Sequence, residues 1–135
     1  MNRVPTREIV YKVARTEFGR HYSFAVSPAN PYCVVYRLQQ TAYPMIVPSY
    51  LMAFDSLAHT QKYLSAFGKS GTILECQAEV VDDEAGIPFV ATAVYHAMRD
   101  FWKEEKHRGA AYLPTPEGTR FCNYLIPLRV LSPEN

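Results

Sequence analysis

Glycine is scarce in this chain, six residues in 135, and none sits in the grouping a phosphate-cradling loop needs. There is no G-x-x-x-x-G-K-[ST], no G-x-G-x-x-G and no G-x-S-x-G elbow, so the common nucleotide-loop and hydrolase signatures are excluded. Cysteine is scarce too. Cys33, Cys76 and Cys122 are odd in number and form no C-x-x-C, which argues against a disulfide framework and a zinc ribbon. Each lies in a β-like run, where a free thiol acts as a small buried hydrophobe. The histidines, His21, His59, His96 and His107, occur singly with no H-E-x-x-H, and no metal is expected. An excess of either charge is also missing: 14 Lys and Arg against 13 Asp and Glu leave a formal charge of +1. Nothing therefore attracts phosphate backbones or anionic lipid in general. The one dense basic run, Lys103, Lys106, His107 and Arg108, is interrupted by Glu104 and Glu105 and reads as a solvated helix end. Neither nucleic acid nor membrane is an expected partner. No window approaches the roughly 18 apolar residues of a membrane span, and MNRVPTREIVYKV holds no apolar leader core, so a cytoplasmic location is expected.

What is present is an ordinary globular composition, 48% apolar and 20% charged, without repeats, low-complexity tracts or linkers. One domain over residues 1–135, with a single core, is the simplest organisation. Residues 7–16 alternate, with Ile9, Tyr11 and Val13 expected inward and Glu8 and Lys12 outward. Gly19 reads as a turn into HYSFAVS, with Tyr22, Phe24 and Val26 inward, making an opening hairpin. SPANP breaks the chain. YCVVYRLQQ is a third strand, with Tyr32, Val34, Tyr36 and Leu38 on one face and Cys33, Val35, Arg37 and Gln39 on the other. TAYPMIVPSY is a loop and LMAF a short strand. Asp55 or Ser56 caps a helix whose stripe is Leu57, Leu64 and Phe67 and whose end is Gly68. TILECQAEVV alternates cleanly, placing Leu74, Cys76, Ala78 and Val80 in the core and Glu75, Gln77 and Glu79 outside. Pro88 to Arg108 has helical spacing at Val90, Val94, Ala97, Met98 and Phe101, although FVATAV alone would also pass for a strand. RFCNYLIPLRVL closes the chain, with Cys122, Tyr124, Ile126, Leu128 and Val130 on one side. The sum is an α+β fold, a mostly antiparallel sheet of five or six strands with two helices packed on one face.

Candidate site residues follow from chemistry. His96, Arg99 and Asp100 share a helical face by their i,i+3 and i,i+4 spacing, so Asp100 can orient His96 for proton transfer; the same spacing is equally that of a surface pair. Ten tyrosines, with Tyr32, Tyr36, Tyr43 and Tyr50 close together, can line a binding surface with both ring and hydroxyl, or pack strand faces. Arg37 is the natural holder of an anion, and Glu75, Glu79 or His96 the natural mover of a proton.

Three elements occur in order along residues 34–80: Tyr36 with Arg37 in a strand, Phe54, Asp55 and Ser56 ahead of a helix, and Gln77, Ala78 and Glu79 in the next strand. In this the chain resembles ADP-ribosyltransferases of the arginine, serine, glutamate type. The resemblance implies NAD as cofactor, Arg37 on its phosphates, Ser56 shaping the nicotinamide site and Glu79 stabilising the ribosyl cation. Two functions thus stand side by side. One is a recognition module binding a protein partner or small molecule through the loop around Tyr43 and Tyr50 and the strand face carrying Arg37, with no cofactor. The other is a small enzyme on an anionic or nucleotide substrate, with Arg37, Ser56 and Arg99 as binding groups and Glu75, Glu79 and His96 as catalytic ones. A homodimer through a sheet edge is a further expectation.

Overall fold

The computed structural model of the chain describes residues 6–23, 33–45, 51–67, 71–81, 89–90, 112–113 and 118–131. β1 (Thr6–Glu17) and β2 (Arg20–Ser23) form the expected hairpin. Glu17 pairs with Arg20, so the turn has two residues, Phe18 and Gly19, with φ of +52° and +76°. Both central residues in the left-handed region make this the primed turn whose twist matches that of the flanking strands. β3 is only Val35–Tyr36, paired to β2 through His21 and Tyr36. β4 (Leu51–Phe54), α1 (Leu57–Phe67) and β5 (Thr72–Val81) follow as the spacing predicts. β6 (Phe89–Val90) pairs with β7 (Tyr112–Leu113), and β8 (Thr119–Leu131) is the last and longest strand.

The main sheet has six strands in the order β3-β2-β1-β4-β8-β5, every pairing antiparallel, and β5 returns to pair with β1. The sheet therefore closes on itself. One edge of β1 is paired with β5 from Thr6 to Ala14, while its other edge is shared, β4 touching it at Tyr11 and β2 from Ala14 onward. A bridge from Ala42 to Leu125 ties the segment after β3 back to β8, closing a second circuit. Closure removes the long open edge of a flat sheet.

The core is the interior of this ring. Val10, Ala14, Tyr36, Ala53, Leu74, Cys76, Ala78, Val80, Cys122 and Leu125 are buried to within a few per cent. The small side chains among them suit the narrow bore of so few strands. β5 contributes as its alternation predicts, and Val34 and Tyr36 face inward as expected.

Several expectations are corrected. β1 turns the other way: Val10 and Ala14 line the interior and Ile9 is 47% exposed, so Lys12, on the face of Val10 and Ala14, points in. Both faces of this strand carry apolar residues, Val13 being buried on the opposite face from Val10 and Ala14, and alternation alone does not choose between them. β3 stops at Tyr36 because Gln39 takes a left-handed φ of +65°, so Arg37 sits in a turn and Leu38 is exposed. On α1 the fully buried residue is Thr60, whose hydroxyl donates to the Ser56 carbonyl at 2.7 Å, whereas Leu57 is exposed. On β8, Leu125 and Pro127 are buried in place of Tyr124, Ile126 and Leu128. Two register shifts explain this, since Glu79 pairs with Tyr124 but Val80 with Cys122, and Glu75 with Arg129 but Cys76 with Pro127. Asn123 and Leu128 are the extra residues of two β-bulges, and each bulge flips the alternation.

Among the described residues there is one helix, not two. The second expected helix, Pro88 to Arg108, falls outside them except at Phe89 and Val90, which are strand. The β-branched and aromatic run FVATAV favours that outcome locally.

The hairpin turn yields a prediction. Asn is the residue this turn type prefers before Gly, and a bulky aromatic at positive φ is strained. Phe18→Asn should raise stability by about 0.5–1 kcal/mol, a few degrees in thermal melting. A lower melting temperature would refute the strain.

Candidate functional site

The sequence-predicted residues scatter over the barrel. Arg37 lies in the exposed turn after β3, and its side chain has no ion pair or hydrogen bond among the described residues. Tyr43 is 61% exposed and meets Tyr124 edge-on with ring centres 6.1 Å apart. Glu75 accepts a hydrogen bond from Arg129 Nε at 2.6 Å, and Glu79 accepts one from Asn123 Nδ2 at 2.8 Å. Both carboxylates lie on the outer face of β5, engaged across the strand. Ser56 is the helix cap: its hydroxyl accepts the His59 N–H at 3.2 Å. No hydrogen bond or ion pair joins Arg37, Ser56 and Glu79. Tyr50, His96 and Arg99 lie outside the described residues.

Three groupings emerge instead. The first is at the barrel end where β4 runs into α1 and β8 begins. His59 Nδ1 lies 2.6 Å from Asp55 Oδ1. An ionised aspartate only accepts, so Nδ1 carries the proton. Arg120 Nη2 is 4.0 Å from Asp55 Oδ2, and Arg120 Nε is 3.7 Å from Glu8. Burial pushes the Asp55 carboxyl up, but the His59 hydrogen bond and charge, the Ser56 hydroxyl and Arg120 outweigh it and hold the group below its ordinary value. Gly118 seals this cluster: its carbonyl accepts the Asp55 N–H at 2.8 Å, and a Cβ there would overlap His59 Nδ1 and come within 2.7 Å of Asp55 Oδ1. The i,i+4 spacing of Asp55 and His59 was the available signal for this pair.

The second grouping is interior. Lys12 Nζ donates to the Met52 carbonyl at 2.7 Å and lies 5.5 Å from the centre of the Tyr36 ring. It forms no ion pair among the described residues, and the ionisable groups around it are the thiols of Cys122, Cys76 and Cys33. Burial pushes the Lys12 ammonium down to about 8 and pushes the Cys76 and Cys122 thiols up to about 12. The Tyr36 hydroxyl is likewise raised by burial, and the Ser23 hydroxyl beside it acts in the opposite sense; Ser23 Oγ also accepts the Val34 N–H at 2.8 Å.

The third lies at the opposite end of the barrel from Gly118. His21 pairs with Tyr36, so the hairpin tip and the Arg37 turn leave the sheet together, and Leu131 beside Ile73 ends β8 there too. Phe18 is fully exposed, Leu38 is 43% exposed and Val130 41%. Arg20 and Arg37, near the hairpin tip and in the turn, are exposed cations of the same end, as is Arg129 next to Val130. The turn is held to β8 by Gln39, whose N–H donates to the Pro127 carbonyl at 2.7 Å and whose side-chain amide donates to that of Leu128 at 2.9 Å. From it the chain runs along β8 to Tyr43 and Met45, the latter 63% exposed. Phe18 carries no periodicity signal; only the two-residue spacing between strands marks it.

Among the described residues no group of three or more His, Cys, Asp or Glu side chains converges as a metal site would require, and no helix is long and apolar enough to cross a membrane. No family model, curated protein or solved structure matches the chain.

Two predictions follow from this geometry. Gly118→Ala forces the extra carbon into the Asp55–His59 pair at a φ of +85°, whereas Gly19→Ala meets open space and carries only the backbone strain. Gly118→Ala should destabilise by about 2–4 kcal/mol and Gly19→Ala by about 1 kcal/mol in urea unfolding; equal losses would discount the packing argument. Lys12 in the folded chain releases its proton below the ordinary lysine value, so the unfolded chain holds more protons above pH 8. Its burial cost is then full below pH 8 and is relieved as pH rises toward the ordinary lysine range. The stability difference between the native chain and Lys12→Met should move by up to about 3 kcal/mol toward the native chain from pH 7 to pH 10. Taking the difference cancels the cysteines, which act in the opposite sense above pH 9. A pH-independent difference would place Lys12 in solvent.

Proposed function

We propose that the chain is a small recognition domain that binds a protein partner at the hairpin end of the barrel. Phe18, Leu38 and Val130 supply the apolar contacts, Arg37 and Arg20 the cations, and Tyr43 and Met45 extend the surface along β8. The observation that carries this reading is Phe18, which combines full exposure with a left-handed backbone in a turn that Asn or Gly would occupy without strain. Exposure wastes its hydrophobic area and the conformation costs stability, so its contribution lies outside the folded monomer. Leu38 and Val130, also exposed at this end of the barrel, support the same conclusion, and large aromatics and arginines are the residue types that dominate interface energetics. The complementary partner is an apolar segment flanked by a carboxylate. Glu75 and Glu79, committed to Arg129 and Asn123, favour binding over proton transfer. Three free thiols, two of them sealed in the core, suit a reducing, cytoplasmic setting.

The test is selection from a random peptide library on the folded chain. Enriched sequences should place an aromatic or aliphatic residue beside Asp or Glu. Phe18→Asn should weaken their binding about tenfold or more without loss of thermal stability, and Arg37→Ala should weaken it and flatten its salt dependence. No enrichment, or equal binding by Phe18→Asn, would overturn the reading. A thermal shift with NAD would replace it with the nucleotide-using enzyme, for which the resemblance implies Arg37 on the phosphates, Ser56 shaping the nicotinamide site and Glu79 stabilising the ribosyl cation.

A further inference from the structure

On the outer face of the hairpin, Arg15 of β1 stands opposite Tyr22 of β2, its neighbour Ala14 lining the interior. Val35 pairs with Tyr22 in turn, so a guanidinium, an aromatic ring and an isopropyl group form one half-buried row across β1, β2 and β3. Arg15 Cζ lies 5.9 Å from the centre of the Tyr22 ring. Its Nε and Nη2 are buried, and neither has a hydrogen-bond partner among the described residues. Glu17 Oε2 stands 3.3 Å from Nε, close enough to feel its charge but not in hydrogen-bond geometry. Residues two apart on a strand share a face at a spacing of about 7 Å, so Glu17 reaches Arg15 only along the strand.

Nε and Nη2 are the two donors on one edge of the guanidinium, and their parallel N–H bonds match the two oxygens of a carboxylate. Arginine cannot shed its proton to escape the cost of burial, so a sheltered fork without an acceptor calls for one. We infer that the Arg15 fork receives a carboxylate of the partner, whose apolar neighbour lies over Tyr22 and Val35, and that Glu17 is its displaceable cover in the free chain. This rests on the reading of the hairpin end as a recognition surface and names the cation that decides which partner fits. Glu17 is the group that gives way: its side chain keeps 46% of its surface against 26% for Arg15, and Arg20, exposed and directly across the turn, is a second cation for it. Binding then exchanges a one-sided ion pair for a bidentate one and leaves no charge alone. With Glu17 alongside, a singly charged carboxylate is favoured over a doubly charged phosphate.

The test follows the Arg15 Nε–H resonance of the full folded chain by NMR during titration with phenylacetate, which has a ring for the Tyr22 and Val35 row and a carboxylate for the fork. The resonance should move saturably with phenylacetate, less with inorganic phosphate, and not at all with phenylacetamide, which has the ring and no charge. Arg15→Lys keeps the charge and loses the fork, and should abolish the saturable shift of the Tyr22 ring protons. Glu17→Gln should tighten phenylacetate binding several-fold, because the cover has lost its charge. No shift at Arg15, an equal shift with the amide or a larger one with phosphate would overturn the inference. Weaker binding by Glu17→Gln would do the same, leaving Arg15 and Glu17 a structural pair. Library-selected peptides that bind Arg15→Lys as tightly as the native chain would remove the fork and keep the recognition surface. A saturable phenylacetate shift without any enriched peptide would keep the fork as a carboxylate site and remove that surface.

Discussion

The division of one edge of β1 between two partners is the constraint on which the rest of the structure depends. Its other edge is paired with β5 along nine residues from Thr6 to Ala14, so β1 cannot slide, and the shared edge must accommodate β4 and β2 as they diverge. Divergence makes the ring close in two circuits, one through β4 and one through the segment bridged at Ala42. It also leaves a stretch of wall without a backbone ladder. A backbone carbonyl there still needs a donor, and Lys12 supplies it to Met52 from inside. The narrow bore then dictates composition: Ala14, Ala53, Ala78, Cys76 and Cys122 leave room for the one large ring, Tyr36, and for the stem of Lys12. The buried ammonium and the raised thiols and phenol are consequences of how the sheet closes.

The two ends of the barrel have been built to different specifications. At the Gly118 end, charges are paired, the helix is capped, and a glycine is placed where any side chain would collide with the Asp55–His59 pair. At the hairpin end, two non-glycine residues, Phe18 and Gln39, take left-handed backbone. Gln39 is held there by two hydrogen bonds to β8. Phe18 has no such compensation. Strain that is over-determined by its surroundings is a structural feature, whereas strain on a solvated aromatic has no return within the folded chain. The asymmetry between the ends is the physical basis of the proposal that recognition belongs to the hairpin end.

How much of this was legible depends on whether a residue's role is local. β5 reads directly from its alternation, and all four of its expected core residues are sealed. The helix reads from its cap and the burial of Tyr36 from strand period, whereas Arg37 is exposed because the strand has already ended in a turn. The orientation of β1 does not, because Ile9 and Val13 are as apolar as Val10 and Ala14, and the only polar markers, Glu8 and Lys12, mark the interior face of a closing sheet. Polar residues inside violate the binary pattern, and such violations collect at seams and sites. Sheet closure itself has no sequence signal; it rests on pairings between residues far apart in sequence, from Tyr11 with Phe54 to Thr6 with Val80. Tyr43 and Arg37 remain on the proposed surface, while Glu75 and Glu79 were right about their face and silent about their partners.

Those partners are set by the bulges of β8. A regular β8 would keep Cys122, Tyr124, Ile126 and Leu128 on the interior face, and a bore lined by alanines and cysteines has no room for that set alongside Tyr36. Inserting Asn123 as an extra residue moves Tyr124 outward, where it meets Tyr43, and brings Leu125 in. Inserting Leu128 restores the phase after Pro127, whose missing N–H makes it unsuited to an uninterrupted ladder. The same two insertions aim the Asn123 amide at Glu79 and bring Arg129 across from Glu75. Satisfying the core and disarming the two outer carboxylates are therefore one event, which is why a strand pattern that looks catalytic in sequence becomes a structural seam in the fold.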